Sequence, residues 1–579
     1  MPALGLITSA LAAVRFPMSL SFGRFAVGLL SLSAVVSLSQ AAAPAPDALF
    51  PAGGQVGSTQ GVKAGGKLDG WPVGAWTDHP GLTFTTTTNS GLYMVKVGAD
   101  VPPGPHQVRL FNSEGSAEPR TFVVGRREEL NEVEPNDDYR KAQSVSPVGA
   151  VINGRLDKAG DVDSFAIQVE AGKWVVAAVD AYALGSSVDP VVQILDDQGV
   201  RVAFSHDTHN LDPLTAWRAE RSGTYYVQVL GFVHPPGTAV AMQGSAAHVY
   251  RLTVTSGPFA RFAQPLGVKR GTGATLKLLG WNLPPGAASN QPVDATRSVA
   301  AETNLVVPAA LTGDTLWLGV GDAPELVEAE PNNTSRKAQP VSFPVTLNGC
   351  IGTPGDVDRF GFTAKKGDRF SFRARAVGLH SPLAARIRVE DTNGVALVSA
   401  EGGDNTDPRL AWNAPSDGQF VLAVTDMFGN GGWDHVYRIE TAPPPPHFTA
   451  SIPTHAFFVE NGKTNEIKVT VTRVEGFKEK LSLSVKGLPP GVTAKAGEIT
   501  DKGGEVKVLL TAAADAPPAN VPLEFLISAP EVRPPMSVAA RFSLLGVEPR
   551  GERLISSGHV AWLTVANKPA PPPPPKKKK

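Results

Sequence analysis

The chain has 579 residues, a net charge of −1 and a single cysteine, and its 59 glycines and 51 prolines make up about 19% of the sequence. An average protein has roughly 12% of these two residues, so long helical bundles are disfavoured, while 42% hydrophobic residues suffice for several separate cores. Near-neutrality disfavours nucleic acid as a partner. Cys350 alone excludes an internal disulfide and a cysteine-based zinc cluster, and we expect it to be a small buried strand residue.

The first 41 residues have the pattern of a secretory signal peptide. Two arginines precede an apolar run from Phe25 to Leu38, and small residues surround Ala41. We expect cleavage after Ala41, with Met18 as an alternative start, and therefore an exported protein that is periplasmic, cell-surface or extracellular. A retained membrane anchor is the alternative, although this run is shorter than the ~20 residues that a spanning helix needs, and no later segment is apolar enough to span.

Two stretches of the chain repeat one another at an offset of about 195 residues. Glu-Val-Glu-Pro-Asn-Asp at 132–137 recurs as Glu-Ala-Glu-Pro-Asn-Asn at 328–333, and Gly-Asp-Val-Asp at 160–163 recurs at 355–358. The segments before each copy also share a Leu-x-Gly-Trp tetrapeptide, so the duplicated unit is interpreted as a pair of domains. A period near 200 residues indicates tandem globular modules rather than a solenoid.

Short strands separated by glycine-rich turns predict an all-β chain of tandem β-sandwich modules. Strands of five or six residues recur about every ten residues, and only 138–144 is expected to form a helical turn. Gly487 to Val492 is predicted to be a rigid turn between two strands. The predicted boundaries are a signal peptide at 1–41, sandwiches at 47–126, 128–256, 258–327, 328–442 and 447–545, a terminal strand region at 546–567 and a Pro/Lys tail at 568–579.

An acidic cluster in each repeat is the strongest candidate site. If the 132–137 segment packs beside the Gly160 loop, carboxylate and amide oxygens converge, and such oxygen ligands suit calcium before zinc or copper. The alternative is that these residues only cap turns. The second repeat has Asn333 in place of Asp137, so its affinity is expected to be lower. The candidate ligands are Glu132, Glu134, Asn136, Asp137, Asp161 and Asp163, and then Glu328, Glu330, Asn332, Asn333, Asp356 and Asp358.

The run from Glu-x-Glu-Pro-Asn through Gly-Asp-x-Asp-x-Phe to Gly-x-Tyr-x-Val resembles the bacterial pre-peptidase C-terminal domain, a non-catalytic module appended to many secreted peptidases. The resemblance extends to both repeats and implies jelly-roll-like sandwiches. In the related collagen-binding domains of clostridial collagenases, the matching positions bind calcium, which implies the same role for the twelve residues above. Asn333 departs from that pattern, and the Asp pair is one residue closer than in the collagenases. The sandwiches at 47–126 and 258–327 are similar to immunoglobulin or IPT/TIG-type modules, and 447–545 is similar to bacterial Ig-like modules.

The sequence lacks the motifs of a catalytic domain. It has no His-Glu-x-x-His, no subtilisin-type nucleophile turn, no phosphate-binding loop and no dinucleotide fingerprint, so we expect neither an enzyme nor an organic cofactor. His206 and His209, near Asp207 and Asp212, are expected to be solvated loop residues rather than a metal site. Ser557-Gly558-His559 is expected to be a turn beside a strand.

Tryptophans offer the remaining candidate contacts. Trp217 and Trp412 occupy matching positions in the repeats and are expected to pack in the two cores, whereas Trp433 is expected to be an exposed contact. The sequence as a whole predicts an exported, non-catalytic adhesion or binding protein, stiffened by calcium, whose partner is an extracellular polymer or an envelope protein. The alternative is a secreted subtilisin-type serine peptidase component or its accessory chain. We expect the terminal segment, Pro571 to Pro575 followed by Lys576 to Lys579, to be either a solvated tail or an electrostatic adhesive for an acidic envelope polymer.

Overall fold

The computed structural model describes residues 42–208, 211–233, 242–298, 304–403, 406–441, 446–533, 535–548 and 551–567. Within these residues the chain forms β-strands and short 3-10 turns and has no α-helix, which confirms the predicted all-β fold class. At least 24 glycines have a positive φ, a conformation that is costly for other residues and that accounts for much of the glycine content. The 3-10 turns are Tyr139–Lys141, Tyr182–Leu184, Gly286–Ser289, Ser335–Lys337 and Val377–Leu379, so a helical turn confined to 138–144 was too narrow a prediction.

The strands group into five modules, each with its own buried apolar cluster. Module 1 has two sheets, in the orders β1-β3-β6-β5 and β2-β9-β7-β4, with β8 paired to β7. Its strands are β1 Leu49–Phe50, β2 Gly53–Gln55, β3 Thr59–Ala64, β4 Gly74–Thr77, β5 Leu82–Thr86, β6 Leu92–Val97, β7 Gly104–Asn112, β8 Gly115–Ser116 and β9 Arg120–Gly125.

Module 2 contains the first repeat and consists of two five-stranded sheets, β10-β12-β19-β14-β17 and β11-β13-β18-β15-β16. Its strands are β10 Glu129–Asn131, β11 Gln143–Val145, β12 Ala150–Arg155, β13 Asp163–Val169, β14 Trp174–Asp180, β15 Val188–Leu195, β16 Arg201–Ser205, β17 Leu214–Arg218, β18 Gly223–Val233 and β19 Val249–Thr255. Strands alternate between inward apolar and outward polar residues, as in β13, where Phe165, Ile167 and Val169 are buried.

Module 3 has two three-stranded sheets, β20-β22-β23 and β21-β25-β24. Its strands are β20 Phe259–Gln264, β21 Gly267–Lys269, β22 Gly273–Trp281, β23 Asn290–Asp294, β24 Asn304–Pro308 and β25 Thr315–Gly321. The Leu-x-Gly-Trp tetrapeptides of modules 1 and 3 end in different surroundings. Trp71 lies outside a strand and packs on the core of module 1, whereas Trp281 ends β22 and contacts Phe259 and Trp433.

Module 4 contains the second repeat and has the same strand order as module 2, in the sheets β26-β28-β35-β30-β33 and β27-β29-β34-β31-β32. Its strands are β26 Glu325–Val327, β27 Gln339–Pro340, β28 Thr346–Cys350, β29 Asp358–Ala364, β30 Arg369–Arg375, β31 Ala385–Glu390, β32 Ala396–Glu401, β33 Arg409–Asn413, β34 Gly418–Asp426 and β35 Val436–Glu440. Cys350 is the last residue of β28 and is half-buried rather than buried.

The Asp-Pro pair that recurs in modules 2 and 4 has a structural role. The carboxylate of Asp212 accepts hydrogen bonds from the backbone N–H groups at 181–183, and Asp407 does the same at 376–378. Each carboxylate therefore satisfies the donors at the start of a 3-10 turn. Asp212 is used in this cap, so it does not join His206, whose ring pairs instead with Asp207 on the surface.

Module 5 has sheets in the orders β36-β38-β41-β40 and β37-β46-β42-β39, with β43 paired to β42, and a separate pair β44-β45. Its strands are β36 His447–Ser451, β37 Ala456–Glu460, β38 Thr464–Val474, β39 Ser482–Lys486, β40 Val492–Ala496, β41 Gly504–Ala512, β42 Ala519–Ala529, β43 Met536–Ala539, β44 Phe542–Glu548, β45 Gly551–Gly558 and β46 Ala561–Ala566. Because β46 lies between β37 and β42, the terminal strand region is part of this sandwich.

Modules 1 and 5 are in direct contact, although they are far apart in sequence. The ring of Trp562 in β46 lies 4.7 Å from that of Phe111 in β7 and 6.2 Å from that of Trp76 in β4, measured between centroids. Arg109, which is fully buried, donates to the carbonyl oxygen of Val560 at 3.2 Å. The described strands at the two ends of the chain thus share one interface.

Candidate metal sites

Each repeat places its acidic residues where its two sheets meet. In module 2, Glu132 and Glu134 follow β10, which runs parallel to β12 in one sheet, while Asp163 is the first residue of β13 in the other sheet. The backbone N–H of Glu132 donates to the carbonyl oxygen of Asn153 at 3.0 Å, which continues the parallel pairing past the end of β10. The strand pairing therefore carries the acidic segment to the start of β13.

Three carboxylates of module 2 converge in this place. Glu134, Asp161 and Asp163 each offer one oxygen, and these oxygens lie within 4.8 Å of one another. Asp161 and Asp163 are 0% exposed, whereas Glu134 is exposed. The hydroxyl of Tyr250 in β19 donates to Asp163 Oδ2 at 2.5 Å and lies 3.4 Å from Glu132 Oε2, so Glu132 joins the cluster through the tyrosine.

Asn136 is enclosed beside these carboxylates with no partner for its side chain. Its backbone N–H donates to Glu134 Oε2 at 2.9 Å, and the residue is 1% exposed. Both polar atoms of its amide, and Asp163 Oδ1, are buried without a hydrogen-bond partner within the described chain. Buried polar groups are rarely left unpaired in proteins. The unpaired oxygens Asn136 Oδ1 and Asp163 Oδ1 are therefore available to a ligand.

Module 4 repeats the arrangement. One oxygen each from Glu328, Glu330 and Asp358 lies within 4.8 Å of the others. The Tyr437 hydroxyl donates to Asp358 Oδ2 at 2.7 Å and lies 3.1 Å from Glu328 Oε2. Asn332 is 0% exposed, and its amide atoms and Asp358 Oδ1 have no hydrogen-bond partner within the described chain. The two sites are built from matching segments, but Glu328 belongs to the group in module 4, where Asp161 belongs to the group in module 2.

The outer edges of the two sites differ. In module 2 the Lys158 ammonium lies 3.1 Å from Asp161 Oδ1 and 3.3 Å from Asp137 Oδ2, so Asp137 faces a lysine on the surface. In module 4 the amide of Asn333 donates to Asp356 Oδ1, while Asp356 Oδ2 accepts from the Gly352 N–H at 2.9 Å. Asp137, Asn333 and Asp356 therefore lie at the rim and are not members of the three-carboxylate groups.

Burial and mutual repulsion raise the pKa values of the inner carboxyl groups. Burial, followed by the charge of Glu132, raises the pKa of Asp163 to about 9, and the same causes, with Glu328, raise the pKa of Asp358 to about 10. Burial is also the main reason that the pKa values of Glu132 and Glu328 rise to about 7. Several carboxylates at such short range hold protons unless a cation neutralises them.

The sequence did not single out Tyr250, Tyr437 or Lys158. A sequence pattern could have identified the two tyrosines, because the tripeptide Val-Tyr-Arg occurs at 249–251 and again at 436–438, near the end of each repeat. Their offset differs from that of the acidic motifs, since the loops before the last strand differ in length. Lys158 had no such signal, because the residue at the matching position of module 4 is Thr353.

The tryptophans lie against apolar clusters. Trp217 packs on the core of module 2, and Trp412 packs on that of module 4, 4.8 Å from Phe420 between ring centroids. Trp433 is 40% exposed, yet its ring lies 4.9 Å from that of Trp281 in module 3. Trp433 therefore joins two modules and is less available for an outside ligand than we expected.

Some predicted features lie outside the described residues, namely the signal peptide at 1–41, His209 and the tail at 568–579. Within the described part of the chain, no helix has the length and apolar character needed to cross a membrane.

Ser557 and Gly558 are the last two residues of β45, and Arg541 Nη2 donates a hydrogen bond to Ser557 Oγ at 2.8 Å.

No family model matches the chain. A protein of Deinococcus radiodurans named "Probable subtilase-type serine protease" is 30% identical over 99 residues, which cover 17% of this chain and 14% of that protein. The chain thus spans a small part of the length of this curated relative. Among solved structures, the pre-peptidase C-terminal domain of a Bacillus anthracis collagenase is 16% identical, covering 21% of this chain and 99% of that chain, with a TM-score of 0.15.

Two larger solved structures are also similar in part. Escherichia coli alpha-2-macroglobulin is 10% identical, covering 85% of this chain and 53% of that chain, with a TM-score of 0.13. The S-layer protein rSbsC is 9% identical, covering 71% and 58% of the two chains, with a TM-score of 0.13.

Proposed function

We propose that the chain is an exported, non-catalytic binding protein of the envelope or extracellular space, and that calcium stiffens modules 2 and 4. The observation that carries the calcium site is the pair of buried asparagines, Asn136 and Asn332, whose amides have no partner beside three convergent carboxylates. Unpaired buried amides cost free energy, and bound cations are one of the few ways to satisfy their oxygens.

The chemistry of the donors favours calcium. The groups that would hold the ion in module 2 are carboxylate oxygens of Glu134, Asp161 and Asp163 and the amide oxygen of Asn136, and no imidazole or thiolate belongs to the three-carboxylate group. Calcium takes six to eight oxygen ligands in flexible geometry, whereas zinc prefers nitrogen or sulfur. A bound divalent ion would neutralise the carboxylates that otherwise hold protons in the closed site.

The calcium proposal is tested by titrating the metal-free full chain with calcium chloride in a calorimeter. We expect about two ions per chain and a melting temperature that rises with calcium at constant ionic strength, because a ligand that binds only the folded state stabilises it. Asp163→Asn and Asp358→Asn together should remove both effects. An absence of binding by the unaltered chain would refute the proposal.

The non-catalytic function is supported by the architecture. Five β-sandwich modules occupy the described residues, and a subtilisin-like triad depends on an α/β domain whose helices are not found there. We also propose that modules 2 and 4 are pre-peptidase C-terminal domains, which they resemble in sequence. Modules 1, 3 and 5 are proposed to be Ig- or IPT-like domains. Such modules accompany enzymes and bind polymers or proteins.

The alternative function is a subtilisin-type peptidase component, which the 99-residue match to the Deinococcus radiodurans protein favours. The purified chain should leave casein intact if our proposal is correct. Casein cleavage that a serine-directed inhibitor stops would establish the alternative. Sedimentation with isolated envelope polymer, with calcium or with a chelator, tests binding directly, and the Asp163→Asn, Asp358→Asn double variant is the matched control.

A further inference from the structure

The two candidate sites differ in three side chains at their rims, because Asn333, Thr353 and Arg359 of module 4 stand where module 2 has Asp137, Lys158 and Ser164. The Lys158 ammonium in module 2 forms ion pairs with Asp161, at 3.1 Å, and with Asp137, at 3.3 Å. The position 195 residues later is Thr353, and among the described residues no lysine or arginine forms an ion pair with Asp356. The ammonium of module 2 thus pairs with the acidic cluster itself, whereas the guanidinium of Arg359 in module 4 donates to the backbone oxygen of Asn333 and pairs with Glu390.

The lysine occupies carboxylate oxygens that a metal ion would need. Asp161 is 0% exposed and belongs to the three-carboxylate group, and its Oδ2 already accepts the backbone N–H of Asp157, just as Asp356 Oδ2 accepts that of Gly352. The Lys158 ammonium lies 3.1 Å from the other oxygen, Oδ1, which is buried and accepts no hydrogen bond from the described chain, so the contact is an ion pair only. In module 4 that oxygen of Asp356 accepts hydrogen bonds from the Asn333 amide and the Val357 N–H, which are neutral donors.

The lysine also evens out the charges of the two sites. Module 2 has five carboxylates and one ammonium, and module 4 has four carboxylates. The carboxylates are Glu132, Glu134, Asp137, Asp161 and Asp163 in module 2, and Glu328, Glu330, Asp356 and Asp358 in module 4. Because the Lys158 side chain is 58% exposed and flexible, it can leave for solvent when a stronger cation arrives.

We propose that Lys158 is a built-in counter-cation which supports the site of module 2 in the metal-free protein and which calcium must displace, whereas the site of module 4 has no such competitor. This inference rests on the proposed calcium binding. It makes the two sites unequal in a direction that the Asn333 substitution alone does not predict, since module 4 becomes the site that fills first. Module 2 then stays ordered at calcium concentrations that leave it empty.

The test measures each site in a chain where the other has been removed. Asp358→Asn leaves the site of module 2, and there Lys158→Thr should tighten calcium binding roughly 2- to 5-fold, the range expected for an ion pair of this exposure. Asp163→Asn leaves the site of module 4, and there Thr353→Lys should weaken binding by a similar factor. Lys141→Thr is the control, because this exposed lysine of module 2 carries the same charge but forms no ion pair with these carboxylates.

The melting temperature of the otherwise unaltered chain gives a second readout. Lys158→Thr should lower it in chelator and leave it unchanged or raise it in saturating calcium, because the lysine supports only the metal-free state. An equal decrease in both buffers would show an ordinary structural ion pair and overturn the inference. Unchanged calcium affinity in the Asp358→Asn background would overturn it as well, with the proposed function intact. If the unaltered chain binds no calcium, both proposals fail.

Discussion

Arg438 and Glu325 form a buried ion pair at the boundary between modules 3 and 4, with Arg438 Nη2 2.6 Å from Glu325 Oε1. Arg251 and Glu129 form the same pair at 2.7 Å at the boundary between modules 1 and 2. Each arginine lies against glycines of the preceding module, so that a Cβ at Gly267 would collide with Arg438 Nε and with a backbone carbonyl oxygen. The duplication therefore includes the joint between the modules.

Removal of Arg438 should destabilise module 4 strongly. Arg438→Met leaves Glu325 buried without its cation, while Glu440 keeps Arg373 and Arg375, and we expect a cost of about 3–5 kcal/mol. The measurement is hydrogen exchange of the β35 amides, because a chain of several modules need not unfold in one step. Arg386→Met, which breaks the exposed pair with Glu401, should cost less than about 1 kcal/mol. Equal effects of the two variants would contradict this view of the joint.

The fold class and the repeat could be predicted because they depend on local periodicity and on motif order. The structure brings the predicted acidic residues of each repeat together and divides them into an inner group and a rim. That division could not be predicted, because it depends on how Tyr250 and Lys158 reach the site from strands and loops distant in sequence. The contact of modules 1 and 5 left no sequence pattern either, since Phe111 and Trp562 belong to unrelated modules.

The asparagine in each site should behave differently from an ordinary core residue. Asn332→Ala removes a buried amide that has no partner, so the metal-free protein should lose less than about 1 kcal/mol or gain stability. Calcium affinity of module 4, measured by calorimetry in the Asp163→Asn background, should fall at least about tenfold because one oxygen ligand is lost. A large loss of stability in chelator, with unchanged calcium affinity, would instead identify Asn332 as a structural turn residue.

The contact between Phe111 and Trp562 should couple modules 1 and 5. Phe111 is half-buried and does not belong to the core cluster of module 1, so Phe111→Ala mainly removes packing against Trp562. A double-mutant cycle with Trp562→Ala should give a coupling free energy of about 0.5–1.5 kcal/mol, as for aromatic pairs. Phe111→Ala should also speed proteolytic release of module 5. Strictly additive effects would mean that the two modules are not docked in solution.

The same interface should weaken in acid because of His455. Its Nδ1 lies 2.9 Å from Arg109 Nη1, which donates to it, so the imidazole accepts this bond only when it is neutral. Burial, and then the positive charge of Arg109, lowers the pKa of His455 to about 4, below the value near 6.5 expected in the unfolded chain.

Because the folded-state pKa is depressed, the stabilisation is complete above pH 6.5 and declines as the pH falls towards 4, by roughly 2 kcal/mol at pH 5 and about 3 kcal/mol at pH 4. Arg109 is the charged group in contact with this ring, and the exposed Glu118 lies near enough to act on Arg109. Melting temperatures at pH 7 and pH 5 measure the decline. His455→Gln keeps an acceptor for Arg109 without a titrating ring, so this variant should lose less stability between the two pH values, and an identical loss would exclude His455 as its source.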